Sequence, residues 1–367
     1  MENGILERRG RQLSSIDLAH WLVDNAGPAI RFRTMVEILE EHDVSKVSQV
    51  LNDFLESKIV KTWLARLSPQ FNMKMIHSSS PDAFENVMGK LGALGMRAGL
   101  QPFDGMTFPF RIWLSEGNEP EIGHPFREFL RAIVASFLAY TGYHDTKPVH
   151  DFLVKRLNLI HSFAERPDFE RVYADEGEFP IPEKMNRHKL VNPELYFGQR
   201  LALPWVHDVR AFAGSKDILQ NPELREKSER IAELVLSSEY QQLQPGYGLM
   251  KYGTRYYVIG WSVHLPNYFA PPEDETNENL LLSLEMMAPF EATRNSEWFK
   301  RMMEFLESHR TERGTYMFPE SWMQEKRTGY WVNGSYMALD HERRGPDAIE
   351  YESTFRALKI KQLAQLL

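Results

Sequence analysis

The run Pro125-Phe-Arg-Glu-Phe-Leu-Arg-Ala-Ile-Val-Ala-Ser-Phe-Leu-Ala-Tyr140 decides the fold class. Phe126, Phe129, Leu130, Ile133, Val134, Phe137 and Leu138 recur at helical spacing and cover almost the whole circumference, which places this helix in an inner layer. The next helical run, Pro148 to Phe163, keeps a polar side and reads as an outer partner. An inner helix followed by an outer one is the unit that recurs along the chain.

Upstream, Ser14 or Ser15 caps a helix over Ile16 to Val23, and Gly27-Pro28 separates it from Ala29 to Glu41. Val44 to Glu56 and Ile59 to Leu67 follow after short breaks. Ser80-Pro81-Asp82 opens a helix over Ala83 to Leu94 that Gly95 closes. Downstream, Leu195 to Ala213 pairs with the charged Pro222 to Ser237, and Leu280 to Phe290 pairs with Glu297 to Arg310. Ser353 to Leu366 is the last helix. Met250 to Val263 alternates enough to form a hairpin. Stretches near 98–122, 164–194, 238–278 and 311–351 read as irregular, and loops of that length are usually functional. No linker or shift in composition divides the chain. The expectation is one all-α domain over 1–367, with inner and outer helix pairs, long aromatic-rich loops and at most a small β-hairpin. Residues 1–13, polar and without an apolar stripe, are expected to be poorly ordered.

Composition narrows the function classes. The chain has no cysteine, which excludes disulfides, thiolate metal sites and a Cys nucleophile. A net charge of −8 argues against a nucleic-acid surface. The basic pairs Arg8-Arg9 and Arg343-Arg344 are flanked by acids and read as solvated surface. The opening residues contain no apolar segment of the signal-peptide kind. No apolar run approaches the ~18 residues a membrane span needs. Together these predict a cytoplasmic chain with no membrane span and no nucleic-acid partner. The 22 Phe, 14 Tyr and 8 Trp exceed what packing alone asks for, and the Tyr and Trp gather in the loop segments, as cavity walls would.

The run Gly314-Thr-Tyr-Met-Phe-Pro-Glu-Ser-Trp322, the segment Gly329-Tyr-Trp-Val332 and Glu352-Ser-Thr-Phe-Arg-Ala-Leu-Lys-Ile360 together resemble a repeat of the α/α-toroid superfamily of terpenoid cyclases and protein prenyltransferases. Pro28-Ala-Ile-Arg-Phe-Arg-Thr34, Gln244-Pro-Gly-Tyr-Gly248 and Gly260-Trp-Ser-Val-His-Leu-Pro266 are similar to bacterial prenyltransferase-like and squalene-cyclase-like proteins of unassigned activity. The resemblance implies a barrel of helices around a central cavity over essentially the whole chain. It does not carry chemistry across. The Asp-x-Asp-Asp acid motif of the cyclases is missing, and the Asp/Cys/His zinc set of the prenyltransferases cannot exist without cysteine.

Four residues are the acid–base candidates. His207 and Asp208, after Trp205, join an imidazole that titrates near neutrality to a carboxylate. Adjacent helical residues point about 100° apart, so each needs a partner from another segment, and a buried His with an ion-paired Asp is the alternative. His264 lies in the Gly-flanked loop with Tyr257 and Trp261, where phenol, indole and imidazole suit a pocket mouth; a packed plug is the alternative. Glu352, at the start of the last helical run, is the inward carboxylate if the ring closes, or a first-turn acid favoured by the helix dipole. Trp205, Tyr257, Trp261, Glu320, Tyr330 and Trp331 are the expected substrate-binding residues. Tyr143-His144-Asp145 with His150 lacks the spacing of a one-face metal site, so no metal or cofactor is expected. No phosphate-binding loop or nucleophile elbow occurs. The leading expectation is a cofactor-independent lyase or isomerase, cyclase-like, acting by proton transfer on a hydrophobic or cyclic small molecule. A carbohydrate-active toroid (epimerase, lyase or glycoside hydrolase) and a non-catalytic scaffold for a peptide or protein are the alternatives.

Overall fold

A computed structural model describes residues 13–116, 126–196, 200–274, 279–340 and 346–367. The expected disorder at residues 1–12, the Arg8-Arg9 and Arg343-Arg344 pairs and Pro125 lie outside the described residues. Those residues form sixteen helices and one two-stranded antiparallel sheet. The all-α expectation with a small hairpin is met.

Helices α1 (Ser15–Asn25), α2 (Pro28–Arg33), α3 (Val44–Glu56), α4 (Lys58–Leu64) and α5 (Phe84–Leu94) make up the N-terminal part. Then come α6 (Phe103–Ser115), α7 (Arg127–Leu138), α8 (Lys147–Ala164), α9 (Val206–Gly214), α10 (Lys216–Gln220), α11 (Pro222–Leu236) and α12 (Ser238–Gln241). The hairpin β1 (Leu249–Tyr252) and β2 (Arg255–Val258) follows, turning at Gly253-Thr254 with Met250 opposite Tyr257. Helices α13 (Leu280–Met287), α14 (Glu291–Asn295), α15 (Glu297–Glu307) and α16 (Pro346–Leu363) complete the order.

Sequence pattern predicts layer. Every residue of α7 from Phe129 to Leu138 is buried, as a helix apolar on most faces requires. In α8 the buried set is Val149, Phe152, Leu153, Arg156, Leu157, Ile160, Phe163 and Ala164, one stripe at the i, i+3, i+4 spacing of a helix buried on one side. Helix α15 buries the corresponding stripe of Trp298, Phe299, Met302, Met303 and Leu306. Helices α5 and α13 are enclosed like α7. Among these enclosed helices α5 packs on α7, α7 on α9, α9 on α13, and α13 on α16; α16 then meets α2, and α2 meets α5. In addition α4 touches α5, α6 touches α7, and α8 touches both α7 and α9.

Four expectations need correction. The last helix, expected from Ser353, begins at Pro346 inside the stretch read as irregular, so Glu352 does not lie in its first turn. The helix expected over Leu195 to Ala213 begins only at Val206. Ahead of it Pro204 removes a backbone donor, and Trp205 pairs in extended form with Ser262. The irregular reading of 98–122 missed α6, because Gly105 and Pro109 read as breakers. The carbonyl that Pro109 leaves without a donor is that of Gly105, which is exposed. The helix expected over Ala29 to Glu41 stops being regular at Thr34, where Leu39 N–H reaches Thr34 O in a π-type turn.

The start of α9 is held by a buried ion pair. Arg156 of α8 donates from Nε and Nη2 to the two oxygens of Asp208 at 3.0 and 2.7 Å, and from Nη1 to Leu201 O at 2.8 Å. Asp208 also accepts the Trp205 N–H, capping its own helix. Breaking such a pair leaves an uncompensated buried charge, at a cost of about 3–5 kcal/mol. Asp208→Ala is therefore expected to lower the unfolding free energy by about that much, read as a shift in the urea midpoint.

Candidate functional site

Helix α5 is enclosed on all sides, yet its sequence Phe-Glu-Asn-Val-Met-Gly-Lys contains three strongly polar residues in its first two turns. Each has a different task. Glu85 faces two imidazoles: His77 Nδ1 lies 2.6 Å from one carboxylate oxygen and His207 Nε2 lies 3.6 Å from the other. The Glu85 side chain is 1% exposed, His207 is wholly enclosed, and His77 retains 22% exposure. The His77 Nδ1 faces the carboxylate, the side on which a ring hydrogen is favoured. The other ring nitrogen, Nε2, is then an acceptor.

Asn86 fixes the loops that carry the rest of the site. Its amide donates to Ser78 O, Ser80 O and Gly329 O at 3.0, 2.8 and 3.0 Å, and its carbonyl oxygen accepts Trp331 N–H at 2.8 Å. One buried side chain thus ties the His77 loop and the Tyr330 loop to the same helix turn. Lys90, one turn further on and fully buried, adds bonds from Nζ to Glu325 at 2.8 Å, to Tyr336 O at 2.9 Å and to Ala338 O.

The result is an aromatic enclosure around His77. Tyr330 stacks on its ring at 4.9 Å and 25°, while Trp261 and Phe129 meet it edge-on at 5.1 and 5.3 Å. Trp261 also packs against Tyr330 at 4.6 Å and His207 at 6.0 Å. Trp261 adopts the left-handed backbone conformation, φ 64, directly after Gly260 at φ 76. For a residue with a bulky side chain that conformation costs about 1–3 kcal/mol, a strain that recurs at functional positions. These side chains bound a cavity of about 510 Å³, whose lining includes His77, Lys74, Phe126, Phe129, Trp261 and Tyr330. Phe126, Phe129 and Leu130 place the start of α7 at this cavity.

Burial holds His207 below the ordinary imidazole range, against the opposing pull of Glu85, so the ring is neutral near pH 7. Tyr330 is pushed up by burial and by Glu85. Of the two imidazoles at Glu85, His77 is the one that also meets solvent. Neither Glu85 oxygen completes a hydrogen bond of regular geometry among the described residues.

Of the residues singled out from sequence, the structure brings His207, Trp261 and Tyr330 together. Trp205 backs Phe129 at 5.1 Å, and Tyr257 backs Phe126 at 5.5 Å, so both stand one layer behind the wall. The other candidates lie elsewhere, each for a physical reason. Both oxygens of Asp208 are committed to Arg156 and the α9 cap. Glu352 is enclosed with Arg356, 3.1 and 3.0 Å from its Nε and Nη2, and accepts Leu339 N–H. His264 uses Nδ1 toward Ser262 Oγ and Nε2 toward Leu243 O, which spends both nitrogens inside its own loop. Glu320 is exposed on a short 3-10 turn. Trp331 is fully buried beneath the site rather than on its wall, against α5 at Gly89, where any side chain would overlap the indole. His144 and His150 meet Asp217 at 3.6 and 3.7 Å rather than Asp145, and no group of three metal-ligating side chains forms among the described residues.

Sequence reasoning missed His77, Glu85 and Asn86. A Glu, an Asn and a Lys inside an otherwise apolar helical run was the available signal, because polar residues there must be satisfied by something that packs onto the helix. Two other grooves are larger, one of about 640 Å³ beside α8 and one of about 860 Å³ between α8 and α11. Their charged side chains include exposed ion pairs such as Arg171 with Glu194 and Arg225 with Glu291, which makes them ordinary solvated surface. No helix of the described residues is long and apolar enough to cross a membrane. No known protein family, curated protein or solved structure matches the chain.

Two outcomes follow from this geometry. Asn86→Leu keeps the volume but strands three carbonyls and an N–H, so it is expected to lower stability by about 2–4 kcal/mol in chemical denaturation. It should also expose Trp261 and Tyr330, read as a red shift and increased quenching of tryptophan emission. The second concerns pH. His207 is held below its unfolded value, so the unfolded chain binds more protons than the folded one as pH falls below about 6.5. Stability should therefore fall from pH 7.5 to pH 5, and His207→Gln should flatten that slope in pH-dependent thermal unfolding.

Proposed function

We propose that this protein is an acid–base enzyme of the lyase or isomerase kind, acting without a cofactor on an apolar or aromatic small molecule. The observation that carries this reading is the contact of His77 with the enclosed Glu85 at the edge of the aromatic cavity. A carboxylate behind an imidazole fixes its tautomer and stabilises the imidazolium that forms when the ring takes a proton. In the proposed step His77 Nε2 takes a proton from a carbon beside a carbonyl. The electron pair moves onto the carbonyl oxygen, and the charge on the ring is balanced by Glu85. An isomerase then returns that proton to a different carbon of the same substrate; a lyase delivers it to the departing group. Lys74 is the cation among the lining residues and suits the negative oxygen that develops. Trp261, Tyr330, Phe126 and Phe129 supply the apolar walls that hold the substrate body.

We further infer an α/α toroid, in which α2, α5, α7, α9, α13 and α16 form the inner layer. The succession of contacts from α2 through α16 and back to α2 supports it, as does the enclosure of α5, α7 and α13 beside the one-sided burial of α8 and α15. In this reading the cavity is the open end of the ring. The carbohydrate reading has support from the Trp261 and Tyr330 faces alone, because glycoside hydrolysis asks for two carboxyl groups flanking one bond. The cavity lining includes none, and Glu85 stands behind His77.

The test is ligand discovery followed by isotope exchange. Isoprenoid, aromatic-carbonyl and sugar libraries are screened by thermal shift, and hits are incubated in deuterium oxide and followed by proton NMR. The wild type is expected to wash deuterium into a carbonyl-bearing hit. His77→Gln should slow this by about 10²–10⁴-fold, the usual worth of a positioned base, while binding persists. Exchange that survives in His77→Gln, or binding confined to sugars, would sink the proposal.

A further inference from the structure

Beneath the acid–base site lies a second group of polar side chains. Phe137 separates the two, meeting His207 at 6.0 Å on one side and Trp331 at 5.8 Å on the other. Below it Arg210, one turn along α9 from His207, lies over the Trp331 ring at 4.7 Å and the Tyr140 ring at 5.8 Å. Tyr140 and Trp331 are 5.5 Å apart. Gly92 and Gly89 of α5 make room for these two rings, since a Cβ at either position would overlap the ring beside it.

What sets this cluster apart is its hydrogen bonding. The Nε of Arg210, the hydroxyl of Tyr140 and the Nε1 of Trp331 are all buried, and none has a partner among the described residues. Arg210 is 3% exposed, and its one hydrogen bond among the described residues is a long one from Nη2 to Leu282 O at 3.4 Å. The other enclosed cations are provided for. Arg156 has Asp208, Arg33 has Glu37, Arg356 has Glu352 and Glu285, and Lys90 has Glu325. Arg131, with no carboxylate paired to it among the described residues, binds the carbonyls of Trp113, Leu114 and Glu116 at the end of α6. Glu285 is the carboxylate nearest in effect to Arg210, and it stands at 3.4 Å from Arg356. A guanidinium with that little compensation is costly to bury, and an unmade bond at each of two neighbouring donors adds to the cost. Indole N–H and guanidinium donate only, and a phenol held protonated by burial donates as well. Three donors without an acceptor call for an acceptor that carries negative charge.

We propose that Arg210, Tyr140 and Trp331 form an interior binding site for a small carboxylate anion, distinct from the His77 cavity. The guanidinium supplies the charge, and the phenol and indole supply the two neutral bonds that orient the carboxylate oxygens. Trp331 immediately follows Tyr330 of the cavity wall, between Gly329 at φ 143 and Gly334 at φ 81. The segment that closes the upper site therefore also closes this one.

Formate and acetate are the probes, titrated against the full-length protein at constant ionic strength with sodium chloride as the balancing salt. Tryptophan emission and thermal unfolding are the readouts. The wild type is expected to show saturable quenching and saturable stabilisation that chloride does not reproduce. Arg210→Met should abolish both while leaving the melting temperature of the anion-free protein unchanged or higher, because it removes a poorly compensated buried charge. Tyr140→Phe keeps volume and fold, and should weaken binding about tenfold, the worth of one bond to a charged group. His77→Gln should leave the titration unaltered, which keeps this site's fate separate from that of the acid–base reading. No saturable response in the wild type overturns the proposal. So does a folded Tyr140→Phe with unchanged affinity, or a large loss of anion-free stability in Arg210→Met, which would make Arg210 a framework residue.

Discussion

A buried polar group has to be satisfied, and in this protein that requirement falls most heavily on α5. The helix is enclosed all round, so Glu85, Asn86 and Lys90 cannot turn to water. Their partners have to come to them. Asn86 brings the 78–80 and 329–331 segments together, Lys90 brings the 325–338 segment, and Glu85 brings His77 and His207. The loops are irregular because they follow side-chain donors and acceptors instead of a backbone ladder. The cavity is what remains between loops so placed.

The same logic explains which parts were legible in the sequence. Apolar periodicity reports burial directly, so the enclosure of α7 and the one-sided stripe of α8 could be read from Phe129, Ile133 and Phe137 against Phe152, Arg156 and Leu157. The enrichment of Tyr and Trp in loops led to Trp261 and Tyr330, which line the cavity. Partner choice was not legible. Asp208 and Glu352 have the residue types of catalytic acids, but whether a carboxylate meets an arginine or a substrate depends on contacts 52 residues away in one case and 4 in the other. His77 gave no local signal at all. It matters because Glu85 N–H binds Ile76 O, which sets the next residue against the Glu85 carboxylate.

The ion pairs of the interior are better understood as addresses than as glue. Replacing a buried pair by apolar residues is often neutral for stability, whereas leaving one member alone is not. Arg156 with Asp208 fixes where α9 starts relative to α8, and Arg356 with Glu352 fixes where the 337–339 backbone crosses α16. Helices that are apolar nearly all round could otherwise slide or rotate against one another with little penalty.

The Asn86 clamp has a consequence in time as well as in space. Its amide reaches Gly329, 243 residues further along the chain. During synthesis α5 leaves the ribosome long before the 325–338 segment exists, with an amide and an ammonium whose partners lie there. Helices α1 to α9 can associate through their apolar faces at that stage, but α5 has to stay solvated on one side until the final third arrives. The cavity is therefore among the last features of the molecule to form, and a nascent chain without that third has no site to misuse.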